Sequence, residues 1–162
     1  MVLVEYKTAM KELRYGTCSK YLTECSPFVS RVNIKVTRGS LKMNKEFTKN
    51  FSDVLMVGPG TGVSPFLSFL SQQNFYFDHQ KGENVEIPNL ILFFGCRFKK
   101  CDDYVGQKYS NFESVSQKLT IVKAFSREDE SRKVYVQSKM QENKAKLFEM
   151  FSRDKFLVYI AG

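Results

Sequence analysis

Histidine, cysteine and long apolar runs are scarce in this chain, and each scarcity removes a class of function. His79 is the single histidine and stands among polar residues, which argues against a His-centred catalytic triad and a His-rich metal site. Four cysteines fall as Cys18 and Cys25, seven apart, and Cys96 and Cys101, five apart. Neither spacing is a C-x-x-C pair and the set is no dense disulfide framework, so free thiols in a reducing, cytoplasmic setting are expected. No apolar run approaches the ~20 residues of a membrane span. The start of the chain carries Glu5 and Lys7 in place of the apolar core of a signal peptide. Acidic residues are outnumbered, 17 against 25 basic ones, giving a net charge of +8. That excess attracts a polyanion without saying which. The lysines are scattered apart from Lys99-Lys100, so a nucleic-acid partner is not expected.

What is present points to a folded chain. Apolar residues make up 43% and aromatic ones 14% of 162 residues, enough for a sizeable core in one domain or one and a half. The organising stretch is Val54 to Leu70, VLMVGPGTGVSPFLSFL. Val54 to Val57 read as a short buried strand. Gly58, Gly60 and Gly62 alternate with Pro59 and Thr61, and Val63, Phe66, Leu67 and Leu70 recur at the spacing of one helix face. A strand, a glycine turn and a helix start make an anion site, because backbone N–H groups and the positive end of the helix dipole face a ligand that no Cβ obstructs. Pro65 suits the first helical turn, and the Thr61 hydroxyl is a further donor. The spacing is G-x-G-x-G rather than the common dinucleotide G-x-G-x-x-G. A tight strand-to-helix turn without a ligand fits the same residues.

Before this stretch, Met1 to Tyr6 reads as a strand. Arg14 to Leu22, RYGTCSKYL, reads either as a second phosphate-cradling turn or as a surface turn with Ser19 as a helix N-cap. Val32, Ile34 and Val36 alternate with polar residues, the pattern of a half-buried strand. Lys42 to Ser52 is polar and marks a boundary. From Asp53 on, strands and helices alternate, which predicts an α/β fold with a parallel sheet. Gln72 to Asn89 reads as a polar loop. Leu90 to Phe94, LILFF, has the continuous apolar character of a parallel strand buried on both faces. Asp102 is placed to cap a helix carrying Tyr104, Val105, Tyr109, Phe112 and Val115. Leu119 to Phe125 is a third strand, a single helix carries Val136, Met140, Leu147, Phe148 and Phe151, and Phe156 to Ile160 is a fourth strand.

Each strand is followed at once by a glycine-bearing or polar string: GPGTG, GCR at Gly95 to Arg97, SR at Ser126-Arg127, and AG at Ala161-Gly162. In an open parallel sheet all four strings fall on the carboxyl edge, where ligands bind. Ser126, Arg127, Lys133, Tyr135 and Gln137 supply two cations, two hydroxyls and an amide, a donor set for a phosphate monoester. No acidic residue stands just after the second strand to hold a free ribose diol, so the composition favours NADP over NAD. A solvated charged loop fits residues 126–133 as well. Cys96, at a strand end, is either a contact for a nicotinamide ring or an inert small residue.

These strings together resemble the NADPH-dependent diflavin reductases. The matching motifs are VEYKT (Val4 to Thr8), RYGTCSKYL (Arg14 to Leu22), GPGTGVSPF (Gly58 to Phe66), FFGCR (Phe93 to Arg97), AFSRE (Ala124 to Glu128) and KVYVQ (Lys133 to Gln137). They stand in the family's order across nearly the whole chain. Ser64, where alanine is usual, and Leu67 are small departures. The resemblance implies a ferredoxin–NADP-reductase-like NADPH-binding domain over residues 53–162, truncated at its C-terminus. It also implies the last strands of an antiparallel β-barrel FAD-binding domain over residues 1–52. Gly16, Thr17, Cys18 and Ser19 would contact the FAD pyrophosphate, with Tyr6 flanking the FAD. Gly58, Gly60, Thr61 and Gly62 would hold the NADPH pyrophosphate. Ser126, Arg127, Lys133, Val134, Tyr135, Val136 and Gln137 would hold the 2′-phosphate and adenosine. Cys96 would lie beside the nicotinamide during hydride transfer.

Among the family's branches, Cys18 in the turn and the FFGCR string look most like the one that feeds cytosolic iron–sulfur cluster assembly through an anamorsin-like acceptor. The haemoprotein reductases are the alternative, and a nucleotide-binding module without turnover is a further one. Read against the family, the chain is an internal piece. It lacks an FMN domain, begins after the Arg-x-Tyr-Ser flavin motif, and ends before the acidic residue and the C-terminal aromatic that complete the flavin site.

Overall fold

The computed structural model describes all residues except 1–4, 38, 40, 45–47, 80–87, 109–111, 113–116 and 130. The chain divides into two compact units, 1–40 and 41–162.

The first unit is a small hairpin followed by a helix. Strand β1 (Glu5–Lys7) pairs antiparallel with β2 (Leu13–Tyr15), Tyr6 standing opposite Arg14. Lys11, at φ 63, closes the turn between them, and Thr8 receives its N–H at 2.9 Å. Helix α1 (Thr17–Glu24) buries none of its residues. The predicted strand at Val32 to Val36 does not form. These residues are irregular and exposed, Ile34 at 83% and Val36 at 89%, since an alternating pattern becomes a strand only with a neighbour to pair with. Ser19 is not the N-cap either. Gly16 occupies that position, and the Ser19 hydroxyl turns back to donate to the Gly16 carbonyl at 3.0 Å.

The second unit is built on four parallel strands: β3 (Asp53–Pro59), β4 (Asn89–Cys96), β5 (Leu119–Phe125) and β6 (Phe156–Ile160). Their order in the sheet is β5-β4-β3-β6. Helix α2 (Ser64–His79) follows β3, and the short α3 (Lys99–Asp102) and α4 (Tyr104–Lys108) follow β4. Helices α5 (Val136–Glu142) and α6 (Lys144–Phe151) join β5 to β6. Alternation along β3 and β4 serves two cores at once. Val54, Met56, Leu90, Leu92 and Phe94 pack with Val63, Phe66 and Leu70 of the β3–α2 connection, and with Val105 and Phe112. Leu55, Val57, Ile91 and Phe93 pack on the other face with Ala124, Val136, Leu147 and Met150. Each such side chain, fully buried, contributes about 1.5–3 kcal/mol. On β6 only Tyr159 is buried, and its hydroxyl donates to the Lys42 carbonyl, tying the stretch after Ser40 to the sheet.

Three predicted boundaries move. Helix α2 runs on to His79, whose ring stacks on Phe75 at 4.0 Å and whose Nδ1 meets the Phe75 carbonyl at 2.9 Å. The predicted polar loop therefore starts later than Gln72, because aromatic residues continue the helix there. After β4, Asp103 rather than Asp102 caps a helix, its Oδ1 accepting the Gly106 N–H at 2.7 Å. Tyr109 and Val115 of that predicted helix lie outside the described residues. The single helix expected after β5 is broken at Asn143 into α5 and α6.

At the amino edge of the sheet, the Asp53 side chain is 4% exposed. Both its oxygens accept from Arg153 Nη1 at 3.1 Å, with Ser52 Oγ at 2.8 Å and Asn89 Nδ2 at 3.1 Å. Burial raises its pKa, but the hydrogen bonds from Ser52, Asn89 and Arg153 and the Arg153 charge outweigh it, and the net shift is below the ordinary 3.8. A carboxyl lowered on folding stabilises above its unfolded pKa, and the stabilisation fades as pH falls through the lower folded value. Asp53→Asn should therefore flatten the loss of stability below pH ~4. Urea titrations at pH 3 and pH 6 would read this, and an unchanged difference between the two pH values would contradict it.

Candidate functional site

The carboxyl edge of the sheet gathers most of the predicted site. Strand β3 ends at Pro59, and residues Gly60–Val63 form one 3-10 turn that runs directly into α2. Gly60 has φ +57, a left-handed conformation that glycine adopts without strain, and a Cβ placed on it would meet nothing within 4 Å. The space over the turn is open, and the first N–H groups of a helix have no partner inside it. Gly62 faces the opposite constraint. A Cβ there would lie 2.0 Å from the Ala161 carbonyl oxygen, so the turn sits hard against the end of β6. Gly58 is crowded from below by Phe66 and Val63, at 2.9 Å. Two of the three glycines therefore let the turn settle on the sheet, and Gly60 leaves it uncovered.

The sheet order makes this a switch point. From β3 the chain steps to β4 and β5 on one side, and then crosses to β6 on the other. In open parallel sheets ligands bind beyond the carboxyl ends of the strands at such a reversal, here that of β3 and β6. Gly60 to Gly62 and Ala161-Gly162 stand at that place.

The ends of β4 and β5 are tied to each other. Ser126 N–H donates to the Cys96 carbonyl at 2.9 Å, and Arg127 N–H to the Arg97 carbonyl at 2.9 Å. Ser126 Oγ also reaches the Cys96 carbonyl, at 3.3 Å. The Arg127 side chain is exposed. Farther on, burial alternates. Val134 is half-buried and Val136 buried, both against the second core, while Lys133, Tyr135 and Gln137 are exposed. Val136 also packs where a Cβ on Gly95 would stand, 2.6 Å from its Cγ2. This alternation separates the predicted set. Lys133, Tyr135 and Gln137 offer side chains to a ligand, whereas Val134 and Val136 have only backbone to offer.

Cys96 is 8% exposed and packs in the first core with Val105 and Phe112. Its thiol donates to the Phe98 carbonyl at 3.7 Å. Burial, then Asp103 and Asp102, and more weakly Glu128, push its pKa to about 11 against the pull of Lys123. The group is a neutral thiol. Ellman's reagent at pH 8 should label the exposed Cys18 and Cys101 within minutes and leave Cys96 unmodified in the folded protein. Rapid labelling of Cys96, read by peptide mapping, would contradict this placement. Beneath it lies a feature the sequence reading missed. Lys123 Nζ meets Asp103 Oδ2 at 2.7 Å, with both side chains mostly buried. The pair is 20 residues apart in sequence, and no local pattern announces it.

Tyr6 and Gly16 to Ser19 lie in the first unit. Tyr6 is 52% exposed. The first turn of α1 carries no acidic residue, and its N-cap Gly16 makes no side-chain cap hydrogen bond. Among the described residues no cluster of His, Cys, Asp or Glu is suited to a metal ion, and no helix is long and apolar enough to cross a membrane.

Comparison with known proteins agrees with this geometry. Residues 56–162 match the oxidoreductase NAD-binding domain family. The chain belongs to that family. Over its whole length it is 37% identical to NADPH-dependent diflavin oxidoreductase 1 of Xenopus laevis and 36% identical to the Danio rerio protein of the same name. It is 33% identical to NADPH–cytochrome P450 reductase of Drosophila melanogaster over 99% of its length. The chain spans about a quarter of each of these relatives, 25%, 25% and 23%. The resemblance to the NADPH-dependent diflavin reductases and the α/β fold with a parallel sheet are both borne out. Residues 56–162, within the second unit, are therefore the NAD-binding domain of an oxidoreductase.

Proposed function

We propose that this NAD-binding domain holds NADPH in a diflavin reductase, in which electrons pass from NADPH through FAD and FMN to a one-electron acceptor. The observation that supports it is one edge carrying the Gly60–Val63 turn on β3, open over Gly60, the Ser126-Arg127 corner on β5, and the outward row of Lys133, Tyr135 and Gln137. The residues fit the group. The turn offers N–H donors under open space, and the corner offers cations to a 2′-phosphate, with the Tyr135 plane near at hand for an adenine ring.

In this reading Gly58, Gly60, Thr61 and Gly62 orient the pyrophosphate. Ser126, Arg127, Lys133, Tyr135 and Gln137 hold the 2′-phosphate and adenosine, with backbone contributed by Val134 and Val136. These groups stand at the ends of β3 and β5 on one edge of the β5-β4-β3-β6 sheet. Cys96, at the end of β4, would lie beside the nicotinamide as a neutral thiol. When bound here, NADPH would supply a hydride to FAD. The domain's part is alignment and the exclusion of misdirected poses.

Residues 1–52 are read as the end of the FAD-binding domain, with Tyr6 beside the FAD and Gly16, Thr17, Cys18 and Ser19 on its pyrophosphate. Residues 53–162 are read as the NADPH-binding domain. The FMN domain belongs to the same polypeptide. The acceptor is read as an anamorsin-like iron–sulfur protein in the cytoplasm. The match to cytochrome P450 reductases supports a haemoprotein as the second reading. Ferricyanide reduction by the full-length protein tests the core of this. NADPH should support it at least tenfold better than NADH, measured as kcat/KM. Equal use of the two, or of neither, would overturn it.

A further inference from the structure

We propose that Glu128 is a positioning residue for the 2′-phosphate corner, and that it secures the preference for NADPH without touching the nucleotide. The inference rests on the proposed placement of the 2′-phosphate at Ser126 and Arg127.

The loop after β5 carries two acids, Glu128 and Asp129, directly beside the residues that are to hold a phosphate dianion. A carboxylate there is placed to hydrogen-bond a plain ribose diol. Each of the two has an oxygen engaged within the protein. Asp129 Oδ1 accepts from Ser131 N–H at 2.8 Å and from Ser131 Oγ at 2.6 Å. Glu128 Oε1 accepts the backbone N–H of Lys99, 29 residues back in the chain. That N–H opens helix α3, whose N-cap Phe98 supplies no side-chain cap. Glu128 therefore caps a helix that follows β4 from a loop that follows β5.

Four ties thus join the two strand ends. Ser126 N–H and Arg127 N–H reach the Cys96 and Arg97 carbonyls, Ser126 Oγ reaches the Cys96 carbonyl, and Glu128 reaches Lys99. The two made by backbone survive a side-chain change. Of the two made by side chains, only that of Glu128 reaches past the strand end to α3. Cutting the Glu128 tie keeps the backbone ties but releases the loop beyond Arg127 from α3, with a first-turn N–H of α3 exposed. Alanine removes the acceptor, and glutamine retains an oxygen at the same reach.

The test uses the full-length protein with its flavins. Its first step is binding of 2′,5′-ADP by the unsubstituted protein. Failure there removes the 2′-phosphate site, and this inference falls with it. With that binding present, Glu128→Ala is expected to raise KM for NADPH about tenfold, with kcat and the KM for NADH within twofold of their starting values. Glu128→Gln should stay within about threefold for NADPH, because the N–H to oxygen bond is kept. NADPH kinetics unchanged in Glu128→Ala would overturn the inference. So would an equal loss for NADPH and NADH, which marks general damage, or a Glu128→Gln protein as impaired as the alanine variant.

Discussion

Gly62→Ala is expected to destabilise the second unit by about 3 kcal/mol and to weaken NADPH binding at least a hundredfold. The new Cβ would stand 2.0 Å from the Ala161 carbonyl oxygen and 2.6 Å from its carbonyl carbon. Backbone cannot yield there as a flexible side chain would. Either the turn lifts from the sheet or the end of β6 moves away, and both displace the Gly60–Val63 turn from its place on the carboxyl edge. Two controls separate this from a general intolerance of alanine. Gly39→Ala, with nothing within 4 Å and no positive φ, should be silent. Gly60→Ala meets no atom either, but its φ of +57 costs about 1–2 kcal/mol, and its methyl group would project into the space left for the pyrophosphate. Its signature is a larger loss of binding than of stability. Denaturant titration and ligand titration on the three variants distinguish them. A Gly62→Ala protein as stable as its parent would show that the turn does not lean on β6.

Arg127→Ala is the second large effect. The Arg127 side chain is exposed on the carboxyl edge, while its backbone N–H stays bound to the Arg97 carbonyl. The corner therefore keeps its shape when the guanidinium is removed. A charge-assisted hydrogen bond to phosphate contributes about 1.5–3 kcal/mol, so affinity for NADP⁺ and 2′,5′-ADP should fall some 10- to 100-fold. Affinity for NAD⁺, which lacks the 2′-phosphate, should change less than threefold. The ratio of the two is the diagnostic quantity, since a disturbed fold would lower both. Equal losses would place the phosphate elsewhere.

The sheet and its edge were legible because both are written locally. LILFF can hardly be anything but a strand buried on two faces, and the third and fourth strands start and stop where their apolar runs do, at Leu119–Phe125 and Phe156–Ile160. The convergence of GPGTG, GCR, SR and AG followed from the parallel arrangement alone. What failed locally was decided at a distance. Val32 to Val36 has a strand's alternation but no partner to pair with. The helix after β5 is split at Asn143, whose side chain turns back to the Lys139 carbonyl at 2.8 Å, although the apolar spacing reads through without a break. Within KVYVQ, the sequence alone did not say which residues face out. Gly95 decides that by leaving room for Val136. Glu128 and the Asp103–Lys123 pair were beyond sequence reading, since each joins residues at least 20 positions apart across two strand ends.

The central claim is a site for a 2′-phosphorylated dinucleotide on the carboxyl edge of this sheet. Calorimetric titration of the protein with NADP⁺, NAD⁺ and 2′,5′-ADP at moderate salt tests it most directly. The account predicts that NADP⁺ and 2′,5′-ADP bind at least tenfold more tightly than NAD⁺, and that Arg127→Ala removes most of the difference. Equal affinities for NADP⁺ and NAD⁺ in a folded protein, or a preference that survives Arg127→Ala, would contradict it.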